Sequence, residues 1–191
     1  DDVYLCGGFQ MGKLIIYPTD TLYGIGCGIF DLENIRRIYD IKHRSFDKPL
    51  ACLCADLDQI KQIAVTDEPA LKLIRSLMPG ALTLILKTQK EVEEKIGYKT
   101  IGVRIPDCST ARELLLKNGP MLTTSVNDSG SLPMNQYEDI LKRYRDLVDE
   151  IYPPEPSSAV ASTVVLLKDG TAEILREGTI KKETIIELLN A

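Results

Sequence analysis

Leu14-Ile15-Ile16-Tyr17-Pro18-Thr19-Asp20-Thr21-Leu22-Tyr23-Gly24-Ile25-Gly26-Cys27-Gly28 is the stretch that sets the architecture of this chain. The apolar run from Leu14 to Tyr17 reads as a buried strand, since a short continuous apolar segment bounded by turn residues suits one. Pro18 stops it, and Thr19-Asp20-Thr21 carries the side chains of a turn. The glycines at 24, 26 and 28 read as a turn whose bare backbone lets another group approach closely. Asp31 then N-caps a predicted helix with Ile35, Ile38 and Ile41 as its apolar stripe. A buried strand feeding an amphipathic helix is the unit of an α/β fold.

The same alternation continues outward. Ala51 to Cys54, Leu82 to Leu86, Thr100 to Ile105, Met121 to Val126, Thr163 to Leu167 and Glu173 to Leu175 are predicted strands. Leu57 to Ala64, Pro69 to Met78, Thr110 to Lys117, Gln136 to Val148 and Lys181 to Leu189 have helical spacing. Ile151 to Ser158, with three prolines, reads as a mobile loop. Interleaved strands and helices in 191 residues imply one α/β domain, residues 1–191, around a single sheet.

Composition narrows the function. No apolar run reaches the ~18 residues that a membrane span needs. Asp1-Asp2-Val3-Tyr4 has neither the basic nor the apolar region of a signal peptide. Cys6, Cys27, Cys52, Cys54 and Cys108 form no C-x-x-C pair, and with His43 as the one histidine they are poor material for a zinc site. A reduced, cytoplasmic enzyme is the expectation, which makes the sequon at Asn127-Asp128-Ser129 a chance match. The net charge of −5 argues against a surface that binds nucleic acid all over, and leaves room for a local basic cleft.

Two phosphate motifs fail on inspection. Gly7 to Lys13 fits G-x-x-x-x-G-K, yet Leu14 stands where a P-loop needs Ser or Thr, and the run precedes a strand instead of opening a helix. Gly24-x-Gly26-x-Gly28 continues with Ile29, so it lacks the spacing of the dinucleotide fingerprint.

Three polar clusters remain: Tyr17 to Gly26; Lys42-His43-Arg44-Ser45-Phe46-Asp47-Lys48-Pro49-Leu50; and Thr123-Thr124-Ser125-Val126-Asn127. Each has a purely structural reading. Cations after a helix offset its dipole, by ~0.3–1 kcal/mol each. Hydroxyls at a strand end are commonly turn residues. None of the three decides the function alone.

Taken together, and in order, they resemble the YrdC-like threonylcarbamoyl-AMP synthases: Pro-Thr-Asp-Thr-x-Tyr-Gly-x-Gly, then Lys-x-Arg-x-x-x-Lys-Pro-Leu, then Ser-x-Asn. Pro79-Gly80-Ala81-Leu82-Thr83, Gly102-Val103-Arg104-Ile105-Pro106, Ser162-Thr163-Val164-Val165 and Arg176-Glu177-Gly178 extend the match over roughly residues 10 to 180. The resemblance implies a twisted mixed sheet flanked by helices, with a concave basic cleft. It implies an enzyme that joins L-threonine, bicarbonate and ATP, with Mg2+, into threonylcarbamoyl-AMP and pyrophosphate for a tRNA modification. Lys42 and Arg44 would supply catalytic charge. Thr21, Arg104, Thr123 and Ser162 would hold threonine, and Arg44, Lys48, Thr100, Ser125, Asn127, Pro133 and Arg176 the nucleotide. Thr100 and Arg104, evenly spaced on one predicted strand, should share a face. No residue stands out as a general base, and His43 is read as a bystander. Carbamate formation needs no protein base if free amine and dissolved carbon dioxide combine directly. The partners implied are tRNA or double-stranded RNA and the complex that transfers the threonylcarbamoyl group.

Two features depart from the pattern. Leu53 stands where some members carry a histidine near the threonine, and the segments around Leu50 and Met121 look like the YciO branch. That leaves an alternative from another class, a YciO-like RNA-binding or translation-associated protein, and a further one, a relative that uses carbamoyl phosphate. Lys42, Arg44, Ser125 and Asn127 are all retained, which favours the synthase.

Overall fold

A computed structural model describes residues 4–5, 9–10 and 12–191. Cys6, the opening residues 1–3, and Gly7, Gly8 and Met11 of the motif at Gly7 to Lys13 lie outside the described residues. In chain order the elements are β1 (Tyr4–Leu5), β2 (Phe9–Gln10), β3 (Ile15–Tyr17), β4 (Gly24–Gly28), α1 (Leu32–Lys42), β5 (Ala51–Leu53), α2 (Leu57–Ile63), α3 (Glu68–Leu77), β6 (Leu82–Lys87), α4 (Lys90–Ile96), β7 (Thr100–Arg104), α5 (Ser109–Asn118), β8 (Met121–Ser125), α6 (Tyr137–Tyr144), β9 (Glu150–Ile151), β10 (Thr163–Lys168), β11 (Thr171–Arg176) and α7 (Lys182–Asn190). β1 and β2 pair with each other, and the other nine strands form one mixed sheet in the order β11-β10-β6-β7-β5-β8-β4-β3-β9.

Strand alternation gives this sheet two different faces. Ile101 and Val103 of β7, Leu82, Leu84 and Leu86 of β6, Cys52 of β5, Ile16 of β3 and Leu14 just before it enter the main apolar cluster. That cluster is covered by Ile38 of α1, Ile60 of α2, Leu73 of α3, Val92 of α4, Ile140 of α6 and Ile185 of α7. Among the described residues, α5 is the helix that packs on the opposite face. Ala111, Leu114 and Leu115 of α5 pack there with Ile15, Tyr17, Leu53 and Met121. β3 is therefore buried on both faces, as its continuous apolar run predicts. The rest of this second face is left uncovered by helices and becomes the floor of a cleft.

Local signals set where the helices begin. Asp31 Oδ1 accepts from Asn34 N at 3.2 Å, and Asp56 and Asp67 cap α2 and α3 in the same way. Such a cap is worth ~1 kcal/mol. Fully burying one Ile38-sized side chain is worth ~1.5–3 kcal/mol. Packing therefore holds α1 in place, and the cap fixes its first residue.

Two expectations are corrected, and a helix is added. Gly24 to Gly28 is a strand, β4, paired antiparallel with both β3 and β8. Its glycines make room for Thr123: a Cβ on Gly26 would lie 2.5 Å from Thr123 Oγ1, and one on Gly24 2.5 Å from Thr123 Cγ2. The Pro-rich stretch is tied down: Tyr152 N donates to Ile16 O, Ser158 N to Asp20 O, and Thr110 N to Glu155 Oε2. The added helix is α4, a charged segment whose one buried side chain, Val92, gives too little apolar periodicity to mark it in the sequence.

Candidate active site

Arg104, the last residue of β7, anchors the floor of the cleft. It is only 4% exposed, and an isolated buried guanidinium would be costly. The turn after β3 supplies the compensation: Arg104 Nη1 donates to Asp20 Oδ1 at 2.7 Å and to Gly80 O at 3.2 Å, and Nη2 donates to Thr21 Oγ1 at 3.0 Å. Thr19 braces this turn from inside, with its hydroxyl donating to Leu22 O at 2.6 Å and standing 3.1 Å from Thr21 Oγ1.

On one side of Arg104, Ser162 Oγ meets Thr83 Oγ1 at 2.8 Å. Arg176 leans on Ser162, through Nε to the carbonyl at 3.0 Å and Nη2 to the hydroxyl at 3.3 Å. Burial, and then the nearby charge of Arg104, hold Arg176 below the ordinary arginine range. Like charges facing one cavity favour an anion between them. Gly178 closes this wall: its N–H donates to Thr163 Oγ1 at 2.8 Å, and a Cβ there would lie 2.3 Å from Ala161 O.

On the other side, Thr123 of β8 is fixed by the buried Tyr17, whose hydroxyl lies 2.6 Å from Thr123 Oγ1. Lys42 and Arg44 part company at the end of α1. His43 between them adopts a left-handed conformation, φ 51° and ψ 42°, and turns the chain. Arg44 then faces the cavity, with Nε on Lys48 O at 3.1 Å and Nη2 on Pro49 O at 2.9 Å. Lys42 points inward. At 2% exposure its ammonium binds Ser125 O and Asn127 Oδ1, and burial lowers it to about 8, with the Arg44 charge adding to the shift. Asn127 Nδ2 in turn donates to Ser131 O, so the chance sequon has a buried, bonded asparagine.

The resulting cavity has a volume of ≈ 440 Å³. Thr21, Arg44, Thr100, Arg104, Thr123, Ser125, Pro133, Ser162 and Arg176 line it, so the structure brings together most of the residues singled out from the sequence. Thr100 and Arg104 share the cavity face of β7, as their even spacing predicts. Lys42, Lys48 and Asn127 are not among the lining residues. The expectation that Lys42 and Asn127 put their polar groups into the cleft is corrected: each is turned toward the other beneath Ser125. Lys48 is exposed outside the lining and contributes its backbone carbonyl. Asp20, Tyr17 and Thr83 were missed. Asp20 and Thr83 lie within quoted motifs, whereas nothing local marks the pairing of Tyr17 with Thr123. A second hollow, ≈ 560 Å³, between α3 and Gly170 contains none of the predicted residues.

The lining includes three arginines and no carboxylate, in a chain of net charge −5. Hydroxyls and a guanidinium on an open sheet face, with further arginines at the rim, give the cavity a chemistry that complements anions. The family model of Sua5, YciO and YrdC proteins, described as telomere recombination, matches residues 9–178. The chain belongs to that family. It is 35% identical over 170 residues to a putative threonylcarbamoyl-AMP synthase of Methanocaldococcus jannaschii, covering 88% of this chain and 81% of that one. The crystal structure of P. abyssi Sua5 complexed with L-threonine matches with a TM-score of 0.85 at 29% identity, over 92% of this chain and 53% of that one. This chain thus spans about half the length of that protein. The crystal structure of E. coli YciO matches with a TM-score of 0.80 at 34% identity, over 89% of this chain and 85% of that one.

Proposed function

We propose that the cleft makes L-threonylcarbamoyladenylate and pyrophosphate from L-threonine, bicarbonate and ATP. The observation that carries this reading is the convergence of Arg44, Arg104 and Arg176 on one cavity floored by Thr21, Thr123 and Ser162. Arg104 receives the threonine carboxylate, and Thr21, Thr123 and Ser162 offer hydroxyl partners to the rest of the amino acid. Arg44 and Arg176 neutralise the triphosphate, with Lys48 near its outer end, while Thr100, Ser125 and Pro133 seat the nucleotide. Lys42 serves by holding Ser125 and Asn127 in place.

The chemistry needs charge neutralisation more than covalent help. The threonine amine and bicarbonate give a carbamate and water. A carbamate oxygen then bonds to the α-phosphorus as the bond to the bridging oxygen breaks, and pyrophosphate leaves with the electron pair. Preorganised cations stabilise the charge that develops, and losing one such donor typically costs ~10²–10³ in turnover. Mg2+ enters with ATP as part of the substrate. No cluster of three or more His, Cys, Asp or Glu side chains suited to a metal occurs among the described residues.

An RNA-binding role is not favoured, because the arginines converge within one cavity instead of spreading along an open face. Delivery of the product to a tRNA through a transfer complex, in the cytoplasm, belongs to the same proposal. No described helix is long and apolar enough to cross a membrane. The test is pyrophosphate release from ATP and bicarbonate with and without L-threonine, with the product identified by mass. Threonine-dependent release is expected. Release that ignores threonine, or none from folded protein, rules the synthase out.

A further inference from the structure

The cleft wall beside Arg44 is braced by two phenols. Tyr39, in the last turns of α1, donates its hydroxyl to Lys48 O at 2.6 Å. Tyr98, just before β7, accepts the N–H of Leu50 at 3.0 Å, and the two hydroxyls stand 3.0 Å apart. A phenol has one hydrogen to give. Tyr39 gives its hydrogen to Lys48 O, so Tyr98 must donate to Tyr39. The chain then runs one way, from Leu50 N–H through Tyr98 and Tyr39 to Lys48 O. Burial, and next the contact with Tyr39, push the Tyr98 hydroxyl above its ordinary range, which keeps the donor protonated.

This chain of hydrogen bonds closes a ring with the Lys48-Pro49-Leu50 backbone. Arg44 rests on the same backbone through Lys48 O and Pro49 O. Pro49 and Leu50 line the cavity next to it. The Phe46 ring lies on Tyr39, with centroids 4.9 Å apart, and covers the brace from outside.

We infer that Tyr39 and Tyr98 are positioning residues for the nucleotide: they hold the Lys48-to-Leu50 backbone so that Arg44 presents its remaining N–H groups to a phosphate. The inference rests on the proposed function for the identity of the ligand, and on geometry alone for the brace. A guanidinium recognises phosphate through the direction of its N–H groups, so a tilt of its support weakens the contact without removing the charge.

Tyr39→Phe, Tyr98→Phe and the double variant test this by calorimetric titration with Mg·ATP and, separately, with L-threonine. Each single variant is expected to bind ATP about tenfold more weakly, with threonine affinity within about twofold of the wild type. The double variant is expected to lose little more than the worse single one, because a chain already broken has little left to lose. Equal weakening toward both ligands, or unchanged ATP affinity in both single variants, overturns the inference. Should Tyr98→Phe fail to fold, Tyr39→Phe carries the test alone, since it leaves Leu50 N bonded to Tyr98. A wild-type protein that binds ATP but releases no pyrophosphate sinks the proposed function only, and the variant titrations still decide the brace.

Discussion

Arg104 Nη1 lies 2.7 Å from Asp20 Oδ1, across 84 positions of sequence, and the pair sits almost out of solvent at the floor of the cleft. Asp20 is therefore the counter-charge that lets an arginine stand on a sheet face. Breaking a buried pair by removing one partner typically costs ~3–5 kcal/mol, because the other charge is left uncompensated. Asp20→Ala is expected to lose stability on that scale in urea unfolding and to raise the KM for threonine. A change within ~0.5 kcal/mol, the range of ordinary surface substitutions, would show that Arg104 does not depend on Asp20.

Lys42 sets a pH dependence. Its pKa is lowered to about 8 in the folded protein from an ordinary 10.5. Between those values the unfolded chain holds a proton that the folded one has released, so stability contributed by this group rises with pH across the window. It is complete above 10.5 and lost as pH falls through 8. Thermal midpoints of wild type minus Lys42→Met are expected to climb from pH 8 toward pH 10 and to be flat below pH 7. A flat or falling difference above pH 8 contradicts the burial of this ammonium.

The left-handed turn at His43 separates two cations that are neighbours but for one residue. Glycine adopts that conformation without the Cβ penalty. His43→Gly is expected to keep full turnover and to leave the melting temperature unchanged or slightly raised. Loss of most turnover with ATP binding intact would give the imidazole a chemical role.

Glu155 fastens the Pro-rich strap to α5. Its Oε2 accepts from Thr110 N at 2.8 Å and from Cys108 Sγ at 2.8 Å, supplying the N-cap that Cys108 lacks. Burial, followed by the bond to Glu155, raises the Cys108 thiol to about 12. Each pKa unit removed by Glu155→Ala multiplies the thiolate fraction about tenfold. Iodoacetamide labelling at pH 8, followed by peptide mapping, is expected to show Cys108 modified faster in the variant. An unchanged rate would mean that Glu155 does not guard the thiol.

How much of this was legible in the sequence follows from which interactions are local. The alternation of Thr100, Gly102 and Arg104 against Ile101 and Val103 is written within five residues, and it put Thr100 and Arg104 on one face. The double-sided burial of β3 was equally readable from its continuous apolar run. The burial of Lys42 was not, because a lysine beside an arginine looks the same whether it faces a ligand or a carbonyl 83 residues away. β4 looks like a turn in sequence because glycine carries no side chain to report which face it occupies, and the reason for its glycines sits on β8. The hold of Glu155 on Thr110 spans 45 positions and leaves no local trace.

Translation delivers this fold from its N-terminus, and the sheet is not assembled in that order. β3 gains its outer neighbour only when Glu150–Ile151 has been made, and β6 gains β10 later still. A nascent chain that has exposed Asp20, Arg44 and Arg104 lacks Ser162 and Arg176, so one wall of the cleft does not exist. The cavity that Arg44, Arg104, Ser162 and Arg176 line together is therefore complete only once synthesis has passed Arg176.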